Sequence, residues 1–316
     1  MSLHFKCDLP GNLTCLSNNS GRRLPFRTIT VLQELDSAKA IYKLPASPDA
    51  SEFIYNLFRN HSLACDYLGN NFTVAPPALE HGGIRFDYLT GINLEDAISR
   101  DLLSNDFNSA NQLFTDYIKR IISLKVIRTA PLQFYKQFAL NGPTITLDCL
   151  SLGVIDLIPR NIMIVNGNWV VIDNEWLFNF PVPREYLIFR TLQKLAAIIQ
   201  PAIRSVASQS IPLTGLFKLG MKTLYLPKPW LDSVRPYCGS FKTMLNWEIA
   251  FQKYVTGSYP RIARLKSKPD TLTSSKTRAC EKLLLAAAST LKRLPGLQTT
   301  LGVLDRAIVY SSQRSN

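Results

Sequence analysis

The first 25 residues show little periodicity. They are rich in Asn, Ser, Gly and Pro and predict a loose N-terminal segment. A pattern begins at residue 26. FRTITVLQEL (26–35) and AKAIYKL (38–44) are rich in β-formers and flank a polar step at Asp36–Ser37, which predicts an antiparallel hairpin. PASPDASEFIYNLFRNH (45–61) changes to helical spacing. Phe53, Ile54, Leu57 and Phe58 form its apolar stripe, and Ser47 or Asp49 can cap it. NFTVAPPAL (71–79) and GIRFDYL (83–89) predict two further strands. LEDAISRDLL (94–103) and the amphipathic NSANQLFTDYIKRIISLKVI (108–127) predict helices, the second a core element. IMIV (162–165) and WVVI (169–172) are short β-branched runs joined by Asn166-Gly167, a strong hairpin-turn signal. Beyond Trp176 helical spacing dominates, most clearly over 184–206, 247–257 and 275–294.

One stretch sets apolar runs against polar residues: DLIPRNIMIVNGNWVVIDNEW (156–176). The apolar runs are buried strands, and Asp156, Asn161 and Asp173 lie at their exits, where the hairpin brings strand ends together. Phosphoryl transfer from a nucleotide asks for such a set: a carboxylate near the attacking hydroxyl, oxygen ligands for magnesium and a cation on the phosphates. Magnesium prefers hard oxygens and keeps several waters, so one Asp and one Asn suffice beside a triphosphate. Taken alone, Asp and Asn serve equally as turn formers and caps.

The chain has 316 residues and 46% hydrophobic content, enough for one large domain or two lobes sharing a cleft. No uninterrupted apolar run reaches the roughly 18 residues of a spanning helix, and the N-terminus lacks the apolar segment of a signal peptide. Cys7, Cys15, Cys65, Cys149, Cys238 and Cys280 are scattered, without a CxxC pair, and read as free thiols in a reducing cytoplasm. Net charge is +13 but unevenly placed. Residues 1–176 carry 15 Lys/Arg against 17 Asp/Glu, and residues 177–316 carry 21 against 6. The second half is a basic body that attracts phosphates or anionic surfaces. No interleaved Arg/aromatic motif accompanies it, so specific nucleic-acid binding is not expected.

The D-x-x-x-x-N spacing of Asp156 and Asn161, with Asp173 at the end of the following hairpin, resembles the protein-kinase-like phosphotransferases. The similarity is to their atypical branch, which includes lipopolysaccharide and aminoglycoside kinases. DLIPRN with VIDNEW is similar to kinase domains of bacterial O-antigen and polysaccharide-modifying enzymes. The resemblance covers roughly residues 26–260. It implies an α+β, two-lobed fold: a small antiparallel-sheet N-lobe (26–90) and a larger, mainly helical C-lobe (91–270), followed by a basic amphipathic helical segment (271–316). It also implies ATP and Mg2+ as cofactors. Asp156 would be the catalytic base; Asn161 and Asp173 would hold the metal. Lys43 in AIYK would bind the α- and β-phosphates, and Glu52 on the next helix would orient it. In FDYLTGINLED (86–96), the carbonyl near Asp87 and the N–H near Leu89 would bind adenine, and Gly91 would let the chain turn into the second lobe. Without the resemblance, Lys43 reads as a strand-edge lysine and Glu52 as part of a solvated helix face. Arg160 reads as a partner of Asp156 or of the phosphate, Glu175 as a metal assistant, cap or ion-pair partner, and Trp176, Trp247 and Phe251 as core.

Three departures stand out. Val154 occupies the place of the histidine two residues before the base. Asn174-Glu175 follows the metal aspartate in place of Phe-Gly. SNNSGRR (17–23) precedes the first predicted strand where a glycine-rich loop belongs, and it is not GxGxxG. The lost histidine and loop favour a pseudokinase scaffold; the intact Lys43, Asp156, Asn161 and Asp173 oppose one. The basic C-lobe favours an anionic or membrane-borne acceptor, a sugar hydroxyl on lipopolysaccharide or a lipid-linked glycan, over a cationic small molecule such as an aminoglycoside. Lys276, Arg278, Lys282, Lys292 and Arg293 surround an apolar centre, so 275–294 fits contact with the inner face of the cytoplasmic membrane as well as packing on the C-lobe.

Overall fold

The β-former runs 26–35 and 38–44 become the centre of a sheet. β2 (Thr28–Leu35) and β3 (Ala38–Pro45) pair from Thr28↔Pro45 to Leu35↔Ala38. Val31, Ala40, Tyr42 and Leu44 pack with Leu9 on one face. This is a computed structural model, which describes residues 9–36, 38–142 and 145–266. The predicted helix 275–294 and the segment 271–316 lie outside the described residues.

The N-terminal sheet is antiparallel with order β1-β2-β3-β6-β5, adding β1 (Asn12–Asn18), β5 (Ala78–Glu80) and β6 (Gly83–Asp87). β1 departs from the loose start expected for residues 1–25. Every β1 residue is exposed, so no apolar alternation marks it; ladder bonds to β2 hold it, with an irregularity between Cys15 and Ser17. Lys43 stands opposite Ile84 across β3 and β6, and so shares its face. On that face Ile54 and Leu57 of α1 (Ser51–Arg59) pack against Ile84. α1 is shorter than the predicted 45–61 because a 3-10 turn at Pro48–Ala50 precedes it. A second helix, α2 (His61–Leu68), follows directly and was not expected.

The predicted strand 71–79 is divided at Pro76-Pro77, which cannot donate to a ladder. Its first part, β4 (Thr73–Val74), leaves the N-terminal sheet and pairs in parallel with the second strand of the Asn-Gly hairpin. β7 (Ile92–Asn93) and α3 (Leu94–Leu103) lead to α4 (Phe107–Ser123). β8 (Val126–Thr129), α5 (Leu132–Gln137), β9 (Leu147–Leu150) and β10 (Gly153–Val154) follow. β11 (Ile162–Val165) and β12 (Asn168–Val171) form the expected hairpin, with Asn166 at φ 50° and Gly167 at φ 80°. β13 (Leu177–Phe178) and β14 (Val182–Pro183) precede α6 (Arg184–Ile198) and α7 (Ile203–Ser208). Pro201 separates these two helices within the predicted 184–206.

The region beyond Trp176 is less helical than expected. β15 (Leu213–Leu219) and β16 (Lys222–Pro227) form a hairpin that buries Leu213, Phe217, Leu224 and Leu226. An irregularity between Gly215 and Phe217 blurs its alternation in sequence. α8 (Lys228–Val234) and α9 (Phe241–Thr256) complete the lobe, with β17 (Arg264–Leu265) on the hairpin edge. One large apolar core runs through this half; Trp230 stacks on Phe114 with centroids 4.5 Å apart, and Trp176, Trp247 and Phe251 lie within it as expected. No helix among the described residues is long and apolar enough to cross a membrane.

Candidate active site

Asp156 and Asn161 belong to one tight loop between β10 and β11. Ile158 N–H donates to the Asp156 carbonyl at 2.7 Å, and Asn161 Nδ2 donates to the same oxygen at 2.9 Å. Ile172 N–H donates to the Asn161 carbonyl at 2.9 Å, which ties the loop to the chain just past β12. Asp173 is the next residue, so the hairpin delivers it beside Asn161.

Lys43 reaches the same place from the other lobe. Its Nζ lies 2.8 Å from Asp173 Oδ1 and 3.3 Å from Glu175 Oε2. Burial lowers the Lys43 ammonium, but Asp173 and Glu175 outweigh it and push the group up to about 12. Glu175 also receives Arg22 Nη2 at 2.6 Å on its other oxygen. Burial works to raise the Glu175 carboxyl; Lys43 and Arg22 overcome it and hold Glu175 at about 2. Burial raises Asp173, against the pull of Lys43.

Glu52 does not orient Lys43, and this corrects the sequence expectation. Its side chain is 70% exposed and pairs with Arg59 at 2.6 Å, on the face of α1 away from Ile54 and Leu57. The second carboxylate on Lys43, beside Asp173, is Glu175. Glu175 N–H donates to Asp173 Oδ1 at 3.2 Å, a local turn that brings both carboxylates to the Lys43 ammonium.

Asp156 has a buried cationic partner. Arg190 on α6 places Nη2 3.1 Å from Asp156 Oδ1 and Nη1 3.0 Å from Glu248 Oε2 on α9. Tyr186 Oη donates to the same Glu248 oxygen at 2.8 Å, and Gln252 Nε2 to the other at 2.9 Å. Burial pushes Asp156 up to about 7; Arg190 opposes this, while Asp173 and Glu175 reinforce it. A carboxylate poised near neutrality is suited to proton transfer. Arg160 pairs with neither Asp156 nor a site carboxylate; its Nη2 lies 3.2 Å from Glu95.

Asp87 ends β6, and its exposed side chain pairs with Arg85 at 2.9 Å. Leu89 lies in the link from β6 to β7, and its N–H has no backbone acceptor among the described residues. Gly91 is needed for close approach rather than for a turn: a Cβ there would meet the Ile164 carbonyl at 2.4 Å.

The donor set fits a magnesium ion. Asn161 gives its Nδ2 to a carbonyl, which leaves Oδ1 as an acceptor; Asp173 uses Oδ1 on Lys43 and retains Oδ2. Two hard protein oxygens are what magnesium takes when phosphates and water complete its shell. No cluster of three or more His, Cys, Asp or Glu that could hold a metal occurs among the described residues, so a cage made of protein alone is not offered.

Sequence reasoning missed Arg22, Arg190 and Glu248 and underrated Glu175. The available signal was a lone charge inside an apolar run: Arg190 in EYLIFRTLQ and Glu248 in NWEIAF. Such charges are almost never buried unpaired.

No family model matches the chain. A curated protein of Saccharophagus degradans, protein-glutamate methylesterase/protein-glutamine glutaminase 1, is 29% identical over 134 residues. These make up 42% of this chain and 32% of that protein, so the match spans about a third of its length. Among solved structures, the macrolide 2'-phosphotransferase MphH of Brachybacterium faecium has 13% identity, a TM-score of 0.35, and coverage of 80% of this chain and 90% of that one. Macrolide 2'-phosphotransferase type I has 10% identity, a TM-score of 0.37, and coverage of 78% and 84%. Aminoglycoside phosphotransferase APH(4)-Ia has 11% identity, a TM-score of 0.36, and coverage of 79% and 87%. Scores this low identify neither activity nor substrate. Strand order and side-chain geometry describe the fold on their own: an antiparallel-sheet lobe and a larger α+β lobe, with Lys43 of the first joined to Asp173 of the second.

Proposed function

We propose that this chain transfers the terminal phosphoryl group of ATP to a hydroxyl, and that the acceptor is a sugar on a lipopolysaccharide or lipid-linked polysaccharide. The observation that carries this reading is the 2.8 Å contact of Lys43 Nζ with Asp173 Oδ1 across 130 residues of sequence, beside an Asp156 carboxyl raised to about 7. Asp156 accepts the proton of the attacking hydroxyl. Its Oδ1 is engaged by Arg190, which leaves Oδ2 for the acceptor. Lys43 holds the phosphates, and the backbone at Asp87 and Leu89 holds adenine. Asn161 and Asp173 would hold Mg2+. Magnesium, when bound, supplies charge neutralisation on the phosphate oxygens.

The acceptor assignment rests on charge. Residues 177–266 carry 13 Lys/Arg against 3 Asp/Glu. Such a lobe draws anionic carriers and repels cationic aminoglycosides or amino alcohols. Peripheral contact with an anionic membrane is part of the same proposal and rests on the basic composition of 275–294.

Transfer of labelled phosphate from ATP to rough lipopolysaccharide, to a lipid-linked oligosaccharide and to aminoglycosides tests both levels. Asp156→Asn should lose about 10²–10⁴-fold in rate, and Asp173→Ala should lose transfer as well. Equal rates in Asp173→Ala and wild type refute the metal role. Transfer to aminoglycosides alone replaces the glycan reading with a small-molecule one. Absence of any nucleotide binding favours a non-catalytic scaffold.

A further inference from the structure

The turn between β1 and β2 occupies the position of a phosphate-covering loop, yet its backbone has little to offer a phosphate. Asn19 N–H donates to Thr28 O at 2.9 Å, Arg22 N–H to Asn19 O at 3.0 Å, and Arg23 N–H to Val255 O at 2.9 Å. Phe26 N–H donates to Arg23 O at 2.9 Å and Arg27 N–H to Leu24 O at 3.3 Å. Ser20 N–H is taken by Asn18 Oδ1 at 3.0 Å. Pro25 has no N–H, so among the described residues of this turn only Gly21 and Leu24 retain free backbone donors. A glycine-rich loop works by aiming several such donors at the phosphates. Here they are spent on fixing the turn.

The same bonds make the turn rigid. Arg27 Nε donates to Arg22 O at 2.8 Å. The Phe26 ring packs against Phe53, Trp176 and Tyr254 at centroid distances of 5.4, 5.1 and 5.1 Å. From this fixed base the Arg22 side chain reaches inward to Glu175, and it is 17% exposed. Glu175 takes Arg22 on one oxygen and Lys43 on the other. One buried carboxylate thus holds two cations side by side, next to Asp173. Arg22 uses Nη2 on Glu175 and Nη1 on the Phe26 carbonyl at 3.4 Å, and Nε has no acceptor among the described residues. A guanidinium with donors to spare suits phosphate oxygens.

We propose that Arg22 is a phosphate ligand of the bound nucleoside triphosphate: a side-chain cation doing here what loop backbone does in a glycine-rich loop. This rests on the phosphotransferase reading above. Arg22 and Lys43 grip the phosphate chain together, and Glu175 keeps both aimed at it.

Titration calorimetry of the full chain with Mg-ATP, Mg-ADP and adenosine tests the assignment. Arg22→Ala should weaken ATP about tenfold or more and leave adenosine unchanged. Arg22→Gln keeps a hydrogen bond to Glu175 but no charge, and should lose ATP in the same way. In the unaltered chain, Mg-ATP but not adenosine should protect Arg22 from phenylglyoxal. If wild type binds none of the three ligands, the phosphotransferase reading fails and this inference with it. If wild type prefers ATP to adenosine and Arg22→Gln keeps the same ratio, or if ATP leaves Arg22 modification unchanged, the Arg22 assignment alone is overturned.

Discussion

Arg190→Met is the sharpest probe of the structure beneath Asp156. Arg190 is 3% exposed, and its two partners are buried as well: the side chains of Asp156 and Glu248 are 10% and 0% exposed. Its guanidinium also lies over the Phe251 ring, 4.6 Å from the centroid. Removing the cation strands the Glu248 carboxylate in a low-dielectric interior and pushes Asp156 further toward its neutral form. Breaking a buried pair in this way costs about 3–5 kcal/mol. For a domain of this size each kcal/mol lowers Tm by about 2–4 °C, so a fall on the order of 10 °C is expected. Tyr186 and Gln252 still donate to Glu248 and moderate the loss. Urea unfolding followed by circular dichroism measures it, and the double variant Arg190→Met/Glu248→Gln isolates the coupling. The double variant should be more stable than Arg190→Met alone, because the amide that replaces the Glu248 carboxylate strands no charge. A single-variant loss below about 1 kcal/mol, or a double variant that loses the full sum of the two single effects, would refute the claim that Arg190 compensates buried charge.

Other expectations follow from the same geometry. Glu52→Gln should change stability by under about 0.5 kcal/mol and leave the KM for ATP unchanged, since its partner is an exposed arginine, whereas Glu175→Gln should raise that KM; the reverse order would restore Glu52 as the lysine's anchor. Glu175 is depressed from 4.5 to about 2 in the fold, so its contribution is present above pH 4.5 and lost as pH falls toward 2. Glu175→Gln should therefore flatten acid unfolding in that window. Asp156 shifts the other way, from 3.8 to about 7, so ionising it costs stability increasingly as pH rises through that range. Asp156→Asn should gain relative to wild type between pH 5 and pH 8, read from urea midpoints; an unchanged difference would mean that the carboxyl is not raised. Gly91→Ala drives a Cβ to 2.4 Å from the Ile164 carbonyl and should cost about 1–3 kcal/mol in the same assay.

Local rules made much of this protein legible in its sequence. Runs of strand-forming residues marked β2, β3 and β6, and Asn166-Gly167 marked the hairpin between Asn161 and Asp173, because these signals depend on neighbours only. Spacing singled out Asp156, Asn161 and Asp173 and the resemblance added Lys43; the structure brings Lys43 and Asp173 into contact. Strand β1 was invisible because neither of its faces is buried. The β15–β16 hairpin was hidden by its irregular register.

What tertiary structure decided was which charges meet. Glu52 stands nine residues past Lys43, but its distance along the chain does not set the phase of α1 against the sheet; packing of Ile54 and Leu57 turned it to solvent. Glu175 took its place because the turn closed by its N–H on Asp173 Oδ1 brings both carboxylates to Lys43. Arg190 joins Asp156 and Glu248 across 34 and 58 residues, and Arg22 joins Glu175 across 153. No local pattern encodes such pairings. A buried charge announces in the sequence that it needs a partner, and only the folded chain decides which one it gets.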